Sequence, residues 1–154
     1  MTTAILQSDL QNIVIDEVLP HDAAIVWKAL TDGALMGRWL MPPAGFAPVI
    51  GQDFTFQTTA AGAWDGTIRC KVLEVVQGRR LAYEWKGGDD ANIGYGSKLD
   101  TIVSFTLTPV PEGTRLQLVH SGFVMPKNET ARQNMGDGWV KVVARLDEAI
   151  AGDV

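Results

Sequence analysis

From Phe54 onward, apolar and polar side chains change places at nearly every step. FTFQT (54–58), TIRCKVLEV (67–75), RLAYEW (80–85), TIVSFTLT (101–108) and TRLQLVHS (114–121) share this two-residue period, the mark of strands with one buried face. Turn residues separate them: Ala61-Gly62, Gln77-Gly78 and Pro111-Glu112-Gly113 are short enough for antiparallel hairpins. The connection GGDDANIGYGSKLD (87–100) is longer and glycine-rich, and reads as a candidate mobile loop.

Outside this block the pattern differs. IVIDEVL (13–19) is rich in β-branched residues and reads as a first strand ended by Pro20. Asp22 is a fair N-cap for a helix bearing Ala23, Val26, Trp27 and Leu30; Asp32 caps a second, shorter helix with Leu35, Met36 and Trp39 on one side, stopped by Pro42-Pro43. The chain closes with Met135, Trp139, Val142, Val143, Leu146 and Ile150 at intervals of three or four, a long amphipathic helix. Thr130-x-x-Gln133 has the form of a capping box, and Gly136 and Gly138 predict an irregular or kinked first half.

Alternation assigns the faces. Phe54 and Phe56, Ile68, Cys70 and Val72, Leu81, Tyr83 and Trp85, Val103, Phe105 and Leu107, and Leu116, Leu118 and His120 are expected inside. The inner face is therefore apolar except for one histidine. Trp27 is expected in the core. Trp39, on the shorter and more exposed helix, is expected at a pocket mouth.

A chain of 154 residues fits one domain and buries roughly two-thirds of its unfolded surface. The expected domain is 1–154, with about 1–11 a poorly ordered or extended N-terminal segment. With Cys70 as its single cysteine, the chain can form no internal disulfide, which makes a reducing compartment the default. The opening MTTAILQSDLQN lacks the basic start and apolar run of an export signal, and no window reaches the length of a membrane span; the expected location is the cytoplasm. A net charge of −5 argues against nucleic acid as a partner.

The order of strand, two short helices, a run of antiparallel strands and a closing helix resembles the helix-grip fold of START-like domains. Five words narrow the resemblance: VWKALTDGALMGRWLMP (26–42), G-x-x-F-x-F (51–56), LAYEW (81–85), GTRLQLVHSGF (113–123) and GWVKVVARLDEAI (138–150). In that order they resemble the family named for the C-terminal domain of the activator of heat-shock protein 90 ATPase. The resemblance implies an α+β fold in which a curved antiparallel sheet wraps around the C-terminal helix. It also implies a cavity between them that in relatives accepts hydrophobic molecules.

The first expectation is thus a small hydrophobic ligand held by Trp39, Phe54, Phe56, Tyr83, Trp85, Phe105, His120, Met135 and Trp139. Trp64, Asp65 and Tyr95 are candidate rim contacts. The family name implies a second class, a co-chaperone that stimulates a chaperone ATPase; in the named relatives that activity involves a further N-terminal domain. A third class is a cyclase-like enzyme using His120 as base, although the plainer reading of His120 is a hydrogen-bonded core histidine. His21 is expected at the surface or capping a helix. Two histidines and one cysteine offer no metal-ligand spacing, no cofactor fingerprint is present, and Cys70 is expected to be inert. A homodimer through Ile102, Val119 or the segment 36–43 is a further expectation.

Overall fold

The structure is a computed structural model of the chain and describes residues 10–153. Its elements are β1 (Leu10–Leu19), α1 (Ala23–Thr31), α2 (Gly33–Trp39), β2 (Asp53–Gln57), β3 (Thr67–Val76), β4 (Arg80–Gly87), β5 (Leu99–Val110), β6 (Gly113–Val124) and α3 (Glu129–Asp153). Of the segment expected to be poorly ordered or extended, residues 10 and 11 belong to β1, and 1–9 lie outside the described residues.

The strands form one curved antiparallel sheet in the order β1-β6-β5-β4-β3-β2. β1 is brought to the far edge and pairs with β6, Ile13 opposite His120 and Ile15 opposite Leu118. Every residue assigned inward by alternation on β2 to β6 is buried, from Phe54 and Phe56 to Leu116, Leu118 and His120. A register shift between Val72 and Glu74 ends the alternation in β3, so that Glu74 and Val75 are both half-buried.

Against this face lies α3, touching β1, β6, α1 and α2. Trp139, Val142, Val143, Leu146 and Ile150 form its buried stripe, and burying each such side chain is worth about 1.5–3 kcal/mol. The helix is continuous through Gly136 and Gly138, so the first half is not irregular as one alternative expected. The two glycines cost about 1 kcal/mol each relative to alanine, and helices in proteins draw most of their stability from packing of an apolar face.

The helix also begins one residue before the expected capping box, so Thr130 lies inside the first turn. Asn128 organises this end instead. Its Oδ1 accepts from the Val124 N–H at 3.0 Å, and its Nδ2 donates to Ser97 Oγ and the Lys98 carbonyl. A single amide thus ties the start of α3 to the end of the 88–98 connection.

The two short helices behave differently at their caps. Asp32 Oδ1 accepts from the Ala34 and Leu35 N–H groups at 2.9 and 3.2 Å, whereas the Asp22 side chain makes no cap hydrogen bond. His21, expected at the surface or in a cap, is mostly buried and contacts Asp147 on α3 through Nε2 at 2.6 Å. Of the apolar residues expected to support self-association, Ile102 is exposed and Val119 half-buried, while Met36 and Trp39 are buried in the core.

Candidate functional site

β4, β5 and β6 bring a polar chain into the aromatic interior. Thr101 on β5 pairs with Trp85 on β4, and His120 on β6 pairs with Val103 on β5. The Trp139 indole N–H of α3 donates to His120 Nδ1 at 3.0 Å. An indole nitrogen can only donate, so the neutral imidazole carries its proton on Nε2. Nε2 then donates to Thr101 Oγ1 at 2.7 Å, and that hydroxyl donates to the Trp85 carbonyl at 2.7 Å.

Both imidazole nitrogens are therefore committed. Burial in this aromatic setting pushes the His120 pKa down to about 3, so the ring is neutral near pH 7. A base needs a free nitrogen facing its substrate, and His120 presents none here; its geometry is that of the hydrogen-bonded core histidine. Thr101 was not singled out from the sequence, although it shares the inward parity of Val103 and Phe105.

Around the chain the rings pack edge to face or tilted. Trp85 lies 5.5 Å from His120, 5.5 Å from Phe56 and 5.7 Å from Trp139; Phe54 lies 5.1 Å from Tyr83. Trp39 joins this interior and not a pocket mouth. It is 1 % exposed, its indole N–H donates to the Ala29 carbonyl at 2.9 Å, and its ring meets Phe105 at 6.0 Å. The Cys70 thiol is also buried, which pushes its pKa up to about 12, far from a reactive thiolate.

Open space lies at one end of this interior. A cavity of about 240 Å³ is bounded by Ile68, Trp85 and Gly87 from the ends of β3 and β4, and by Ala131, Asn134, Met135 and Gly138 from the first half of α3. Met41, Thr58 and Trp64 close a second side, and Gly88, Tyr95, Gly96, Ser97 and Leu99 a third. The lining is mainly apolar and contains no Asp, Glu, Lys, Arg or His.

The third wall is the glycine-rich connection, and it is pinned to its neighbour. Asn92 donates to the Ala61 carbonyl and accepts from the Ala63 N–H, the Tyr95 hydroxyl donates to the Thr59 carbonyl at 2.8 Å, and Trp64 lies 6.0 Å from Tyr95. Gly88 makes the crossing feasible. At φ +76°, a Cβ there would lie 2.1 Å from the Ser97 carbonyl oxygen.

Of the nine residues expected to hold a ligand, the structure places Trp85 and Met135 in the cavity wall. Trp39, Phe54, Phe56, Tyr83, Phe105, His120 and Trp139 are not in the cavity wall and are buried in the core. The rim candidates Trp64 and Tyr95 both line the cavity, while Asp65 lines a charged groove on the other side of Trp64 with Arg69, Asp89, Asp90 and Lys98. In that groove Lys98 pairs with Asp90, which also pairs with Lys127 at 2.6 Å. Ile68, Met41 and Gly138 were missed as wall residues; Ile68 was legible as an inward position, but nothing in the sequence placed it at the open end.

Among the described residues no cluster of three or more His, Cys, Asp or Glu could hold a metal, and no helix is long and apolar enough to cross a membrane.

Residues 20–151 match the family described as Activator of Hsp90 ATPase homolog 1-like protein. Among solved structures, the chain resembles a Mesorhizobium loti protein at 30 % identity, covering 92 % of this chain and 97 % of that one with a TM-score of 0.78. CalU16 from Micromonospora echinospora is 25 % identical over 94 % of this chain and 78 % of its own, with a TM-score of 0.71. The Aha1 dimer from Colwellia psychrerythraea, at 17 % identity, shares the fold over 91 % of this chain and 96 % of its own, with a TM-score of 0.70. No curated protein matches.

Proposed function

The chain belongs to the family of Activator of Hsp90 ATPase homolog 1-like proteins, and from that premise we propose that it binds a small, uncharged hydrophobic molecule. The observation that supports this reading is the cavity itself: about 240 Å³ of open space walled by Trp64, Trp85, Ile68, Leu99 and Met135, with no ionised side chain in its lining. Apolar walls around a few polar groups are the usual make-up of a small-molecule site. The space sits beside the buried core, against the first half of α3.

Size narrows the ligand. An apolar cavity of about 150 Å³ accommodates benzene, so this one suits a compact two-ring molecule. Charge narrows it further, since a carboxylate or ammonium group would be desolvated here without a partner. The chaperone-activating role in the family's description stays with the proteins so described, and the chemistry of the cavity has no bearing on it.

Gly138 provides the test. It lines the cavity, and a Cβ built there meets nothing within 4 Å, so a leucine side chain would grow into open space. Tetralin, a neutral two-ring hydrocarbon, is expected to raise the melting temperature of the wild-type protein increasingly with its concentration above the dissociation constant. Gly138→Leu should be as stable as wild type or more so, because glycine inside a helix costs about 1 kcal/mol, and should lose the response to tetralin. A wild-type protein indifferent to tetralin, or a variant that responds as wild type does, would count against the proposal.

A further inference from the structure

Two tryptophans line the cavity, and their indole N–H groups differ. Trp64 Nε1 donates to the Thr67 carbonyl at 2.9 Å. Trp85 has no acceptor for its N–H among the described residues, although the residue is only 3 % exposed. The buried side-chain atoms that lack both a partner and contact with open space are Tyr83 Oη and Arg132 Nε. The Trp85 nitrogen is not one of them, and Trp85 lines the cavity.

Of the other polar side chains in the lining, the Thr58 hydroxyl is half-buried and the rest are bonded or exposed. Ser97 Oγ accepts from Asn128 Nδ2 at 3.1 Å, the Tyr95 hydroxyl donates to the Thr59 carbonyl, and Asn134 is exposed. Trp85 is also held in place. Its carbonyl accepts from Thr101 Oγ1, and its ring is wedged between Phe56, His120 and Trp139. Buried donors are nearly always satisfied, and an unmet one in an apolar cavity is where an acceptor on a ligand gains most.

We infer that the Trp85 indole N–H is the specificity-determining donor of this site and selects a neutral, two-ring molecule carrying one acceptor oxygen, such as a carbonyl, at the end that enters first. The inference rests on the cavity being a ligand site, as proposed above. It assigns Trp85 a positioning and selecting role and involves no covalent step.

The test compares 1-tetralone with tetralin, which share a shape and differ in the ketone oxygen. Affinities of both are measured for the wild-type protein and for Trp85→Phe, which keeps an aromatic wall and removes the donor. A ketone loses more hydration than a hydrocarbon on entry, so the informative quantity is the ratio of the two dissociation constants, tetralin over tetralone. That ratio should fall roughly two- to tenfold in Trp85→Phe, the span expected of one neutral hydrogen bond. In wild type, the Trp85 indole proton should move downfield in the NMR spectrum when tetralone binds and much less when tetralin binds.

An unchanged ratio, or an indole proton that bound tetralone leaves in place, overturns the inference while the cavity reading stands. The NMR measurement needs only the wild-type protein and therefore decides the matter even where Trp85→Phe does not fold. If neither compound binds, the cavity reading falls and takes this inference with it.

Discussion

His120 illustrates how one residue can be placed by parity and yet explained only by its neighbours. Alternation along β6 turns it inward, and the plain expectation of a hydrogen-bonded core histidine follows from that. Its two partners could not be read in the same way. Trp139 arrives from α3 and Thr101 from β5, and their approach depends on strand register and on how the helix seats itself. The folded pKa of about 3 lies well below the ordinary value of 6.5, and the sign of its effect on stability follows. Above pH 6.5 both folded and unfolded chains are neutral at this position, and His120 adds no pH dependence. Between about pH 6.5 and pH 3 the unfolded chain takes up a proton that the folded chain refuses, so stability falls as pH drops, approaching 1.4 kcal/mol per pH unit. Urea unfolding of wild type and of His120→Gln between pH 6 and pH 4 checks this: the wild-type slope should be steeper by about one proton. Equal slopes would mean that His120 titrates normally in the folded protein.

At the scale of elements, α2 is the informative case. Seven residues (Gly33–Trp39) are too few for a helix to stand alone in water, so its existence depends on packing. Asp32 as its cap and Pro42-Pro43 as its end were legible, because both act locally. The seating of Trp39 was not. A short helix next to prolines looks exposed from the sequence, but here Trp39 reaches back to the Ala29 carbonyl of α1 and forward to Phe105 of β5, joining two helices to the sheet. The sequence contrast between a structural Trp27 and a peripheral Trp39 therefore disappears: they are 6 % and 1 % exposed. Trp39→Ala should cost roughly 3–5 kcal/mol of folding stability, comparable with Trp27→Ala, as measured by equilibrium denaturation. A loss below about 1 kcal/mol would show that Trp39 is not the strut described here. The irregular first half expected as one alternative for α3 is absent for a related reason, since helix propensity is a local quantity and the helix is continuous into the buried stripe from Trp139 to Ile150.

For the whole molecule, the order of strands, the inward faces and the closing helix were legible because period, turn residues and caps all point the same way. The location of the cavity was not. It depends on the 88–98 connection crossing to the 58–66 turn, through Asn92 on Ala61 and Ala63 and Tyr95 on Thr59, and on Asn128 tying that connection to α3. These contacts join residues about thirty positions apart or more through turns with no periodic signature, so the sequence could name Trp64 and Tyr95 as rim candidates but not the space they enclose. The central claim is that this space, and not the aromatic interior around His120, receives a small neutral ligand. The most direct measurement is a crystal of the protein soaked in 2-bromonaphthalene, with the bromine located by its anomalous signal. The account predicts a peak within the cavity, in van der Waals contact with Trp64, Trp85 and Met135. A peak confined to the outer face of the sheet, or none at saturating concentration, would contradict it.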